Sequence, residues 1–228
     1  MQRITDYSFL FQNMRGASNR NKINPIKVSQ LSSKSMQAQL KAAGINTNSK
    51  QYKAVVNAMT EAAGGRTAYT NIQAIKNQMK NYDKDGDYIN PVNGLAGLLL
   101  TDENIAEKNR IIDIPESSRQ EMFDLTKKEF LQENGISNGD RTKRSDVYTH
   151  LYRKMKKEDR LAAGHTLEQY ERAYRKAFIE EVKKVSPSWQ VGRPIPSGAL
   201  DGITRESVES TLVQNGSSLV KQSMDIMI

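Results

Sequence analysis

Cysteine is absent from all 228 residues, which excludes disulfides, thiolate metal ligands and a cysteine nucleophile. The same absence leaves the redox compartment open, because a chain without thiols suits either side of a membrane. Histidine is almost as scarce. His150 and His165 are the only two, and neither has a carboxylate at the spacing of a zinc helix such as HExxH. His165 precedes Thr166 in what reads as a Gly-containing turn, so both histidines read as surface or packed side chains. No Walker loop, dinucleotide glycine fingerprint or GxSxG elbow occurs. The adjacent carboxylates Glu158-Asp159 and Glu180-Glu181 fall in helical stretches, where neighbours face different directions and make poor acid/base partners. Enzymatic chemistry therefore has no support in the sequence. No run approaches the ~20 apolar residues that span a bilayer.

The N-terminus lacks the pattern of a cleaved secretory signal. Its apolar stretch Tyr7–Phe11 is short, and Asp6 stands where a signal is uncharged. Ile4, Tyr7, Leu10, Phe11 and Met14 do recur at helical spacing between Arg3 and Arg15. That pattern reads as a helix docked on the body, with an interfacial or secretion-directing segment as the alternative. Cytoplasmic residence and export without a cleaved signal both remain open.

What the chain does have is helical periodicity. The hydrophobic fraction is 37% and the mean hydropathy −0.69, yet apolar residues recur at three- and four-residue spacing in segment after segment. Helices are expected over about 32–43, and over 49–63 behind an Asn48/Gln51 capping box, with Tyr52, Val55, Val56 and Met59 inward. Others are expected over 70–82 (Ile72, Ile75, Met79, Tyr82) and at Leu95–Leu100, the latter weakened by Gly94 and Gly97. Pro115 and Ser117 open a helix reaching Asn134-Gly135, and another runs over about 142–162. Thr166 and Gln169 read as a capping box for a helix with Leu167, Tyr170, Tyr174, Phe178 and Val182 on one face. A short helix near 204–214 follows a Pro/Gly-rich loop, 186–202, pinned by Trp189. No segment alternates with period two for long enough to make a sheet, although Val191 and the tail offer a short pairing. The expected fold is mainly α, an irregular multi-helix protein. Its expected organisation is a segment and linker (1–30), a helical domain (31–112), a second helical domain or continuation (113–185), and a loop with a terminal helix (186–228).

One constellation carries specific chemistry. Asp83, Asp85 and Asp87, in the run Tyr82-DKDGDYIN-Pro91, place carboxylates at alternate positions on a Gly-containing turn, as a hard cation requires. The run resembles an EF-hand of the calmodulin type. The resemblance puts Asp83, Asp85 and Asp87 at the first, third and fifth ligand positions and implies calcium as the cofactor. Ile75, Met79 and Tyr82 match the apolar positions of the entering helix, and Ile89 matches the residue that pairs loops. A backbone carbonyl at Tyr88 or Ile89 would add an oxygen. Tyr88 stands where the family has its turn glycine, and Gly94 where it has a bidentate Glu. Asn90, Asn93, Asp102, Glu103 or water are left to complete the shell, which sets the expected affinity at ~10⁻⁴–10⁻³ M. The competing reading is a solvated Asp/Gly turn.

Charge is uneven. Residues 141–185 hold thirteen Lys/Arg against seven Asp/Glu, within a chain of net charge +8. The stretch RTKRSDVYTHLYRKMKKEDR sets Lys143, Arg144, Arg153, Lys154, Lys156 and Lys157 around Tyr148 and Tyr152. As a nucleic-acid element it would lay phosphate contacts along one side. Both tyrosines, however, share the apolar face with Leu151 and Met155, where they pack instead of stacking on bases. Expected ion pairs at i,i+4 are Glu168–Arg172, Glu171–Arg175 and Glu180–Lys184. The stretches ITDYSFLFQNM and LKAAGINTNSKQYKAVVNAM resemble uncharacterised proteins of Gram-positive anaerobic bacteria, which implies a bacterial origin and no activity. The expected role is a non-enzymatic interaction or scaffold protein with a protein partner. Nucleic-acid binding through 141–160 is the alternative.

Overall fold

The computed structural model describes residues 25–102, 104–136, 139–214 and 219. The expected N-terminal helix, Glu103 and the tail beyond Leu219 lie outside them. The chain is mainly α, with eight α-helices and one two-stranded sheet among the described residues. It divides into two compact units between Leu99 and Leu100. That division sets residues 113–185 and 186–214 in one unit.

In the first unit, β1 (Ile26–Lys27) pairs antiparallel with β2 (Tyr69–Thr70), Ile26 opposite Thr70. Three helices pack beside this pair: α1 (Lys34–Ala42), α2 (Lys50–Ala63) and α3 (Ile72–Met79). Each begins at a polar cap that satisfies an otherwise orphaned N–H. The caps are Ser33, Ser49 and Asn71, which accept from Met36, Tyr52 and Ala74. The cap of α2 is thus one residue later than the expected Asn48. Gly64, in left-handed conformation at φ +54°, stops α2. Leu31, Leu40, Val55, Met59 and Ile75 fill the core, and the buried Tyr52 hydroxyl donates to the Leu31 carbonyl at 2.9 Å.

The helix expected at Leu95–Leu100 does not form. Gly94 and Gly97 adopt φ of +71° and +81°, and residues 90–95 close a turn of their own. Two glycines within four residues cost more than the leucines recover by helical burial.

The second unit contains α4 (Ile105–Lys108), α5 (Glu116–Gln132), α6 (Arg141–Lys154), α7 (Arg160–Val185) and α8 (Arg205–Gln214). α7 is the spine. Leu167, Tyr170, Tyr174, Phe178 and Val182 run along it as expected and meet Met122, Phe123 and Phe130 of α5 and Val147 and Leu151 of α6. Edge-to-face ring pairs, Phe123–Tyr174 at 5.2 Å and Phe130–Phe178 at 5.5 Å, lock α5 to α7. The loop after α7 is ordered as expected. Trp189 is buried, donates its indole N–H to the Arg193 carbonyl at 2.9 Å, and packs on Phe130.

Two of the expected helix boundaries fail in this unit. The helix predicted over 142–162 breaks at Met155, whose ψ of 148° is extended, and a 3-10 turn (Lys157–Asp159) leads into α7. Thr166 does not cap a helix. It is buried inside α7, its hydroxyl donating to Ala162 O at 2.8 Å. Continuity wins because Leu161, Ala162 and Ala163 belong to the same buried surface as Leu167. Gly164 and His165 accordingly sit within the helix and form no turn.

Candidate functional site

The aspartate run leaves α3 as a closed hairpin. Tyr82 and Tyr88 form an antiparallel bridge, with their rings edge-on at 5.6 Å. The Ile89 N–H donates to Asn81 O at 2.8 Å, and the Asp83 N–H to Asp87 O at 2.9 Å. At the tip, Asp83 Oδ1 accepts from both the Asp85 and Asp87 N–H groups at 2.9 Å. Gly86 has φ +88° and lies so close to α2 that a Cβ there would meet the Lys50 carbonyl oxygen at 3.0 Å. The Gln51 side-chain amide adds a bond to Tyr82 O at 2.7 Å. The loop is therefore closed by its own ladder and fastened to the first turn of α2.

This differs from the loop that the resemblance implies. Tyr88 is in a bridge, the Ile89 N–H is in a ladder, and no leaving helix follows. Among the described residues, no three His, Asp or Glu side chains are gathered closely enough to hold a metal.

The basic stretch is divided by the break at Met155. Lys143, Arg153 and Lys154 lie on α6 and are exposed, while Lys156 and Lys157 lie on the turn beyond it. Lys154 Nζ donates to Ser117 Oγ at 3.1 Å. Tyr148 and Tyr152 stack on each other with centroids 6.0 Å apart. Burial pushes both hydroxyls up, Tyr152 to about 12, as expected of packed tyrosines. His150 is exposed, its Nδ1 3.0 Å from Glu121 Oε1.

Arg144 turns inward. It pairs with the buried Glu129 of α5 and, at 2.9 Å, with Glu171 of α7. Burial raises the Glu171 carboxyl above its ordinary range, with Arg144 pulling it back down. Arg175, expected to pair with Glu171, donates instead to Gly135 O at 2.7 Å. Of the other expected pairs, Glu168–Arg172 forms at 2.8 Å. Glu180 instead faces Lys176, and Lys184 takes Glu181.

A second buried cluster joins α5, α7 and α8. Glu209 Oε2 accepts from Arg119 Nη1 and Arg205 Nη1, both at 2.7 Å, and Glu209 Oε1 accepts from the Tyr174 hydroxyl at 2.6 Å. Burial, with Glu209 second, drives the Tyr174 pKa far upward, so the phenol stays a donor. Arg205 is 4% exposed and also reaches Gln120 Oε1 and Glu116 Oε1. Sequence reasoning passed over this cluster. Its signal was present: Arg205 and Glu209 share one helical stripe with Val208 and Leu212.

Residues 45–228 match the model of a family described as Domain of unknown function (DUF3879). No curated protein and no solved structure matches the chain. Among the described residues, no helix is long and apolar enough to cross a membrane.

Proposed function

The chain belongs to the DUF3879 family, and we propose that it is a bacterial, non-enzymatic interaction or scaffold protein whose first unit holds a structural calcium ion. The observation that carries the reading is the aspartate hairpin. Three carboxylates stand within five residues on a loop whose ends are fastened to α2 and to each other. A loop fixed in this way suits a structural ion better than a switch, because little backbone is left to move. Closing the side chains on calcium brings oxygens from Asp83, Asp85 and Asp87 together with water, in the weak range of ~10⁻⁴–10⁻³ M.

The second unit supports the non-enzymatic part. Its buried charges are engaged with one another, Arg144 with Glu129 and Glu171 and Arg119 with Glu209 across helices, and Arg205 with Glu209 within α8. Such pairs fix helix register and leave those groups committed. The nucleic-acid alternative is weakened by the same geometry, since Arg144 is withdrawn from the basic face and the two tyrosines are packed. Thermal unfolding in calcium against chelator tests the proposal. Calcium at ~10 mM stabilises by about 1.4–2.7 kcal/mol over that affinity range. An unchanged melting temperature removes the ion from the account.

A further inference from the structure

Four Asn-Gly pairs occur in the chain, and two of them, Asn93-Gly94 and Asn134-Gly135, lie wholly among the described residues. The pair has a reactivity of its own. Glycine has no side chain to screen its backbone nitrogen, which can therefore attack the amide carbon of the preceding asparagine. The fold treats these two copies oppositely.

Asn134-Gly135 is clamped. Gly135 is buried, its N–H donates to Phe130 O at 2.8 Å, and its carbonyl accepts from Arg175 at 2.7 Å. The Asn134 carbonyl accepts from the Gly192 N–H at 2.8 Å, and a Cβ on Gly135 would meet the Trp189 ring at 2.9 Å. Attack would require these contacts to open first. The bonds around Asn93-Gly94 run within its own turn, from the Gly94 N–H to Asn90 O and from the Asn90 N–H to Leu95 O. Gly94 is exposed, with nothing within 4 Å of a Cβ. The Leu95 N–H donates to Asn93 Oδ1 at 3.0 Å, which curls the amide back across Gly94 and withdraws electrons from its carbon.

We propose that Asn93 is a site of spontaneous deamidation and that the fold protects Asn134 from the same reaction. The Gly94 nitrogen gives its proton to hydroxide and bonds to the Asn93 side-chain carbonyl carbon. The bond from that carbon to Nδ2 breaks, and Nδ2 leaves as ammonia with a proton from water, which restores the hydroxide. A cyclic imide remains. Water then opens it at either carbonyl, giving aspartate or isoaspartate. Both products add a negative charge to the turn that follows the aspartate hairpin, and isoaspartate also lengthens its backbone by a methylene.

The test is incubation of the full chain in mildly alkaline buffer, read by peptide mass spectrometry with chromatographic separation of aspartate from isoaspartate. Peptides containing Asn93 should gain the mass of an amide turned into an acid at least about tenfold faster than those containing Asn134, the factor that ~1.4 kcal/mol of local opening imposes. In guanidinium chloride both sites are unfolded Asn-Gly pairs and should react alike, so that Asn134 accelerates while Asn93 changes little. Equal rates in the folded chain, or an Asn93 that reacts only when unfolded, overturn the proposal.

Discussion

Replacing Gly164 with alanine sets helix propensity against packing at one atom pair. An interior Gly→Ala in α7 gains about 1 kcal/mol from propensity. The new Cβ, however, falls 2.6 Å from the Tyr152 hydroxyl oxygen and 3.2 and 3.3 Å from two ring carbons. Tyr152 is buried and stacked on Tyr148, so its ring has little room to retreat. Overpacking of this kind costs about 1–3 kcal/mol. The expected net effect is a destabilisation of up to about 2 kcal/mol, which lowers the melting temperature by roughly 2–4 °C per kcal/mol at this size. Tyr152→Phe removes the closest atom. In that background Gly164→Ala should be neutral or stabilising by up to about 1 kcal/mol. Denaturant unfolding of the four proteins gives the coupling. A single Gly164→Ala that stabilises, with no coupling to Tyr152, would refute the packing argument.

Arg144→Met leaves Glu129 and Glu171 buried without their cation and should cost about 3–5 kcal/mol, whereas Glu129→Leu, Arg144→Met and Glu171→Leu together should be neutral or stabilising by about 1–4 kcal/mol; chemical denaturation ranks them. Glu171 has its carboxyl raised in the fold, burial being the larger cause, so its favourable contribution is complete below about pH 4.3 and is lost as pH climbs through the folded value. Because Glu171→Gln keeps the neutral form at every pH, the variant's melting temperature minus the parent's should grow from about pH 4 to 7; a shrinking difference means that Arg144 outweighs burial. Labelled DNA or RNA in low-salt anisotropy should show no tight complex, and affinity that falls steeply with salt and weakens on charge reversal of Lys154, Lys156 and Lys157 would transfer the function to the nucleic-acid reading.

Helices that bury one long apolar face were legible in the sequence. Leu167 to Val182 announced α7, and Pro115 marked the start of α5, because burial and local sterics act within a few residues. Competition between local signals was not legible. Thr166 and Gln169 satisfy a capping pattern, yet the Thr166 hydroxyl bonds the preceding turn because the apolar stripe continues on both sides of it. The four leucines at 95–100 suggested a helix that two positive-φ glycines forbid. At the sites, Arg144 read as one of a row of basic side chains because its partners, fifteen and twenty-seven residues away, converge on it only through the packing of α5 and α7. The aspartates were visible, but the fastening of their loop was not, since it depends on Gln51 and Lys50 in another helix.

The most direct measurement is calorimetric titration of calcium into the full chain and into Asp85→Ala, each after treatment with chelator. One saturable site at ~10⁻⁴–10⁻³ M is expected in the parent, and none in a variant that stays folded. Absence of binding heat at ~10 mM calcium, together with an unchanged melting temperature, would contradict the calcium site and leave residues 83–87 as an ordinary closed turn.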